Sequence, residues 1–447
     1  MFHRSMSNKI MYLLYVQLTV ILIIFLLSQR FNIHLPICVF WVSVVAITCI
    51  ICIQITSFNR NSNKYMILFQ IIVFSWIIRT IFIPNTGFFG HDPYKEMEVV
   101  SVILNNGWDL DSDIFSNYKY QYSYPILYEL IIMGSQVLGT SLFSVARWFP
   151  LLYNTSSLLF IYLFSNHLFN SDKSSLLSVF GASMLYQSVM FHTLPIRESI
   201  AFVFFVAFLY VYFREKKPNV LFTILALLLI VMITLSHHLT SFLIFLFVFL
   251  HILVNSVCKI LETIAPRKLY FIPDSRGFNI LAYILVLVIG YWIYLRYSPL
   301  NIIAYAFEES AYLDPGHGMI VPNNLKFIVL VNGEYFFAFA FAFFSIYSIT
   351  LCNNRMRINL TLIFWAALMG IMSILSLKGM VLRTESVAFA SRFQSFGYIS
   401  LFVLSGSIID LKNQKGRMFN EINATVILLY FLFILFSIYR IPVELYT

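Results

Sequence analysis

Ionisable side chains in this chain gather in five short stretches, each combining residue types that suit acid–base work or anion binding. The first, GFFGHDPYKEME, carries His91, Asp92, Glu96 and Glu98, and the alternating acids Asp109, Asp111 and Asp113 follow it. A carboxylate such as Asp92, a few residues beyond an apolar run, can meet a water-borne hydroxyl and take its proton as general base. The second stretch, HTLPIRE, holds His192, Arg197 and Glu198 in a turn between two apolar runs, where the adjacent opposite charges also suit mutual solvation. The third is the pair His237 and His238 in SHHLT, whose imidazoles can orient a ligand or hydrogen-bond backbone. The fourth holds Glu308, Glu309 and His317 among glycines and a proline. The fifth holds Lys378, Arg383 and Arg392. A guanidinium fork matches a phosphate, and at a lipid interface it can hold a phosphate whose tail stays in the bilayer; snorkelling of a long cationic side chain is the structural alternative.

Hard oxygen ligands at Asp109, Asp111 and Asp113 admit a divalent cation, Mg or Mn, although the glycine and distal glutamate of an EF-hand are absent. No cofactor is required by the pattern, and the metal stays unassigned. Cys49 and Cys52 form a C-x-x-C, but they sit inside the apolar run 39–55 without polar neighbours and read as small hydrophobes.

The elements that must position these residues are membrane helices. The 447 residues are 60% hydrophobic, 18% aromatic and only 11% charged, and the mean hydropathy is +0.83. A soluble domain carries about 25% charged residues, so a soluble globular fold is excluded. Apolar runs near the roughly 20 residues that cross a bilayer recur along the chain. They fall at 10–28, 33–56, 66–84, 146–168, 174–192, 198–213, 219–236, 240–257, 278–297, 326–352, 358–377, 393–409 and 422–440, which predicts thirteen spans in one integral membrane domain over 1–447. The net charge of +9 lies between these runs rather than in a patch, which disfavours nucleic acid as a partner.

Charge placement gives the expected orientation. The segment 124–139 is apolar but short and contains Glu129; if it lies along the interface and the N-terminus is cytoplasmic, 17 of the 29 lysines and arginines fall inside. Letting it span reverses that ratio. The same topology leaves 14 of the 20 acids outside, and acids contribute little to orientation, so this second asymmetry points to chemistry on the outer face. All five polar stretches then lie at the outer face, with a long loop at 85–145 containing interfacial helices and a second loop at 298–325 suited to a flap. Arg79 falls within an apolar run, near enough to its outer end to snorkel.

Several of these segments in order resemble the GT-C superfamily of membrane glycosyltransferases, the polyprenyl-phosphate-sugar enzymes related to protein mannosyltransferases and lipid A aminoarabinose transferases. They are a span, a long outer loop opening with G-H-D-P-Y-K-E, an N-N-G-W step, the Y-P-I-L-Y-E-L segment, Ala146 and Arg147 leading the next span, the L-P-I-R-E-S turn and a late S-R-F. The resemblance covers the chain best to about residue 213. It implies an all-α GT-C-like bundle of about 13 transmembrane helices in the cell membrane, a polyprenyl-phosphate sugar donor, and a glycan, lipid or protein acceptor. Asp92 matches the first-loop acid that acts as base or positions the acceptor, with Glu96 and Glu98 where a supporting acid lies. Glu198 resembles the second acid at an outer turn, and Arg392 the late basic residue that contacts the lipid-linked phosphate. The sequence departs from the family in having His91 rather than an acid beside Asp92, in Arg197 before Glu198, and in lacking a W-W-D motif. Transfer of whole oligosaccharides to asparagine is therefore not expected. A surface polysaccharide polymerase or ligase also suits outer arginines and histidines, and a lipid-linked oligosaccharide transporter is the third reading; that last class calls for mid-bilayer charges and inverted repeats, which the sequence does not display.

Overall fold

The computed structural model describes residues 2–31, 35–58, 63–80, 88, 92–108, 119–185, 189, 193–214, 220–264, 275–294, 325–351, 356–382, 387–410 and 417–445. Among the described residues every regular element is helical. In chain order they are α1 (Phe2–Arg30), α2 (Ile37–Thr56), α3 (Lys64–Thr80), α4 (Asp92–Asn106), the single turn α5 (Lys119–Tyr122), α6 (Ile126–Leu138), α7 (Leu142–Phe169) and α8 (Asp172–Ser183). There follow α9 (Arg197–Arg214), α10 (Val220–Ser236), α11 (His238–Ile264), α12 (Ser275–Tyr294), α13 (Leu325–Leu351), α14 (Met356–Leu382), α15 (Val387–Gly406) and α16 (Arg417–Leu445). Hydrocarbon offers no partner to a backbone amide, so an apolar chain in lipid closes its hydrogen bonds within each segment as helix. Each of the thirteen apolar runs overlaps one of these helices, the run 174–192 only in its first part. Five, α1, α2, α11, α12 and α16, are long and apolar enough to cross a membrane by themselves. Residues facing outward along α13, Phe336, Phe339, Phe343 and Ile346, recur at helical spacing and are exposed, as a lipid-facing stripe requires.

α6 and α7 form one bent pair, 111° apart across a short break. Gly139 makes the break with a positive φ of 61°, its amide bonding the Ser135 carbonyl, and Ser141 then caps α7 by accepting from the Ser144 amide at 3.2 Å. At 13 residues, α6 is about 20 Å long, short of the ~30 Å hydrocarbon core. One face of α6 packs Leu127, Tyr128, Ile131 and Ile132 against Val99, Val100 and Ile103 of α4 and Ile200 and Val203 of α9, a small second core separate from that of the bundle. The other face leaves Met133, Val137 and Leu138 exposed.

α8 is the most enclosed helix, with every residue from Ser174 to Ser183 buried. It contacts α2, α3, α7, α15 and α16. Small residues let its neighbours approach. The Ser178 hydroxyl donates to the Phe402 carbonyl at 3.1 Å, and Gly181 faces the rings of Tyr430 and Phe402. Two expectations are corrected here. The run 174–192 is not one continuous helix, since α8 stops at Ser183, and Arg79 does not snorkel but is fully buried. One contact joins the two: the Arg79 guanidinium donates to the Ser183 carbonyl at 2.7 Å, satisfying a helix-end acceptor inside the bundle.

A Cβ added at Gly181 would lie 2.7 Å from the Tyr430 ring and 2.8 Å from that of Phe402. Gly181→Leu is therefore expected to destabilise the bundle by about 1–3 kcal/mol or more through overpacking. Thermal unfolding in detergent checks this, with partial recovery expected when Tyr430→Leu is added.

Candidate functional site

α4 opens the site. Asp92 is its first residue, where a carboxylate complements the helix dipole, and Pro93 follows in the first turn, where no amide hydrogen is needed. Asp92 and Glu98 are exposed, whereas Glu96, one turn beyond Asp92, is buried. Glu96 is held at both oxygens: Oε1 accepts from Arg197 Nε at 2.9 Å, and Oε2 accepts from the Tyr128 hydroxyl. The pair is well enclosed, with side-chain exposures of 6% for Glu96 and 11% for Arg197.

Arg197 is the first residue of α9, an unfavourable place for a cation in an isolated helix. Glu96 from α4 and the buried Glu198 in the same first turn supply the negative charge that this end prefers. The Arg197 guanidinium also lies over the Tyr124 ring, 5.6 Å from its centroid. Tyr124 is buried and in turn meets the His238 ring at 5.7 Å and the Tyr291 ring of α12 at 6.5 Å, while the Tyr291 hydroxyl donates to the Ser123 carbonyl.

The two histidines lie at a one-residue break: α10 ends at Ser236, His237 turns the chain and His238 begins α11. Both are buried, their rings 4.8 Å apart. His237 Nδ1 and Thr240 Oγ1 share a hydrogen bond of 3.0 Å, and Ser241 donates to the His237 carbonyl through its amide at 3.1 Å and its hydroxyl at 2.8 Å. Glu96, Arg197, Glu198, His237 and His238, drawn from three of the five sequence stretches, thus stand at one end of the bundle, joined through Tyr124.

His91, His192, Glu308, Glu309, His317 and Arg383 lie outside the described residues, as do Asp109, Asp111 and Asp113. Lys378 and Arg392 fall on α14 and α15, of which the backbone is described. Among the described residues no three histidine, cysteine, aspartate or glutamate side chains gather as metal ligands. Sequence reasoning missed Tyr124 and Tyr128, whose signal is a tyrosine pair at helical spacing in an otherwise apolar segment, and it missed Tyr291. It noted Glu129 only as a charge; the structure pairs it with the Trp108 indole nitrogen, which ties the end of α4 to α6.

No protein-family model matches this chain, and no curated protein matches it. Among solved structures it is similar to the archaeal oligosaccharyltransferase AglB from Archaeoglobus fulgidus, in complex with an inhibitory peptide and a dolichol-phosphate. The identity is 13% and the TM-score 0.49, over 84% of this chain; the chain spans 56% of the length of that one.

Removing one partner of an enclosed ion pair leaves the other charge buried. Glu96→Ala is therefore expected to cost about 3 kcal/mol or more, and the double variant Glu96→Leu with Arg197→Met to recover most of it. Denaturant unfolding of the single and double variants measures the coupling; additive losses would show that the two residues act independently.

Proposed function

We propose that this chain is a GT-C-type membrane glycosyltransferase that moves a sugar from a polyprenyl-phosphate donor to an acceptor hydroxyl at the outer membrane face. The observation that carries the reading is the docking of α4: Glu96 fixes that helix to the start of α9, so that the exposed Asp92, one turn away, is held at the end of the bundle where Glu198 and the histidine pair also lie. The reaction needs little else. An acceptor oxygen attacks the anomeric carbon, its proton passes to the Asp92 carboxylate, and the bond from that carbon to the phosphate oxygen breaks with its electron pair leaving on polyprenyl phosphate. A single displacement of this kind inverts the anomeric centre.

Arg392, with Lys378 and Arg383, is assigned to the departing phosphate, where preformed positive charge stabilises the transition state most. His91, Glu98, His192, Glu198, His237, His238, Glu308, Glu309 and His317 are assigned to orienting donor or acceptor. In the proposed topology the thirteen long apolar runs cross the membrane with the N-terminus cytoplasmic, and α6 lies along the outer interface, with Met133, Val137 and Leu138 entering the lipid. The opposite end of the bundle fits the inner face: Lys64 pairs with Asp172 at 3.1 Å, and Lys173 donates to the Thr56 carbonyl at 3.0 Å.

Purified protein in lipid, offered a panel of polyprenyl-phosphate sugars with membrane extract as acceptor, tests the reading. Asp92→Asn is expected to reduce transfer by about 100-fold or more while the protein stays folded, and Arg392→Ala to lower kcat by a similar factor. Transfer unchanged in Asp92→Asn overturns the base assignment. Failure of every donor in the wild type moves the function to the polymerase or transporter class. Cysteine labelling is expected to find Ser112 outside and Asn413 inside, and the reverse inverts the topology.

A further inference from the structure

Arg79 lies in the last turn of α3 and is fully buried, away from the cluster around Arg197. Its Nη1 donates to the Ser183 carbonyl at 2.7 Å, to the Ser75 carbonyl at 3.4 Å and to the Ser75 hydroxyl. That hydroxyl also accepts from Asn154 Nδ2 of α7 at 3.4 Å and donates to the Ser183 carbonyl at 3.4 Å, so its one donor and two acceptor sites are all used. Helices α3, α7 and α8 therefore meet at one node, the Arg79 guanidinium together with the Ser75 hydroxyl.

The place of this node in the chain gives it a role. α8 has 12 residues, about 18 Å, so it ends short of a full bilayer crossing and leaves carbonyls inside the bundle that need donors. A helix C-terminus also carries partial negative charge, and a cation set against it is favoured. Arg79 supplies both donor and charge from a different helix. It is one residue from the end of α3, where the chain leaves for the loop that delivers Asp92. Ser183 is the last residue of α8, where the chain leaves for the segment that delivers Arg197 and Glu198. That segment returns buried at Thr193 to Ile196, and the Ser199 hydroxyl pins it by donating to the Leu194 carbonyl at 3.0 Å.

We propose that Arg79 is a positioning residue: a guanidinium cap on the end of α8 that sets the spacing between the two outer segments carrying the reactive groups. The inference rests on the glycosyl-transfer reading for its effect on rate, but not for its effect on structure. Removing the cation would take this donor from the buried Ser183 and Ser75 oxygens, so its loss is felt first at the end of α8. Lysine is not equivalent, since its ammonium is a strongly hydrated point charge on a flexible stem, whereas the guanidinium is planar and weakly hydrated.

The test uses the full-length protein in lipid with Arg79→Met and Arg79→Lys. Arg79→Met is expected to lower the unfolding temperature by a few degrees while the protein still folds, to speed amide exchange in residues 181–185 and 193–200 about tenfold with other helices unchanged, and to lower kcat about 100-fold at unaltered donor KM. Arg79→Lys, which keeps the charge and a donor nitrogen but not the planar group, is expected to lie between the two in exchange and in kcat, and it decides the matter if the methionine variant does not fold. Local exchange unchanged from wild type overturns the proposal, as does faster exchange throughout the molecule with transfer per folded molecule intact. A raised donor KM at full kcat also overturns it, by making Arg79 a donor-binding group. Should the wild type transfer no sugar, the exchange measurement still decides the capping role, so loss of the functional reading and loss of this inference remain distinct results.

Discussion

The end of the bundle where α4 meets α9 depends on one enclosed ion pair. Glu96 and Arg197 are 101 residues apart in sequence and 2.9 Å apart in space. Removing both charges from water is costly, and their attraction offsets that cost only where geometry is good and the remaining polar atoms are satisfied. Here the carboxylate also accepts from Tyr128, the guanidinium lies over Tyr124, and the negative charge stands at the α9 N-terminus, where the helix dipole favours it. Replacing the pair by apolar residues would keep packing but lose direction. A carboxylate and a guanidinium define where α4 sits along α9 and how it is turned, which Val99, Val100 and Ile103 of α4 packing on α6 and α9 do not by themselves fix.

The same economy of polar contacts recurs wherever a helix ends. Arg79 closes α8 at one end, and Ser171 caps it at the other by accepting from the Ser174 amide at 3.2 Å. Asp172, the first residue of α8, gathers Lys64, the Tyr162 hydroxyl at 2.6 Å and Asn166 at 3.4 Å, which fastens α3 and α7 to it. Lys173 reaches the last carbonyl of α2. In an interior filled by aliphatic and aromatic side chains, non-directional packing leaves helices free to slide, and these few end contacts set their register.

Much of the scaffold was legible in the sequence. Each apolar run overlaps a helix because hydropathy over about 20 residues reports the quantity that lipid selects, and alternation of helix direction is enough to bring the second and third polar stretches to one end. Partner identity was not legible. Adjacent residues on a helix point about 100° apart, so Arg197 and Glu198 do not face each other, and nothing local to Arg197 names Glu96 as its partner. The early end of α8 was hidden for a related reason. Residues 184–192 are as apolar as the helix before them, and the donor that meets the helix end, Arg79, bonds a backbone carbonyl, an acceptor that every residue carries. Tyr124 and Tyr128 were passed over because a tyrosine in an apolar segment looks like core until its neighbours are known.

The two carboxylates of α4 differ in what their surroundings leave them able to do. Glu96 is engaged at both oxygens, by Arg197 and by Tyr128, so it suits a fixed anchor. Asp92 shares the same face of the same helix one turn earlier and is exposed, the position from which a carboxylate can meet an acceptor arriving from water. Over a single turn, about 5–6 Å, an α-helix is stiff, and a shift of the anchor carries the exposed acid with it nearly one for one. Reaction rate is steep in such shifts, a displacement near 1 Å costing about 100-fold. An acid placed one turn from a buried anchor thus takes its position along the helix from that anchor.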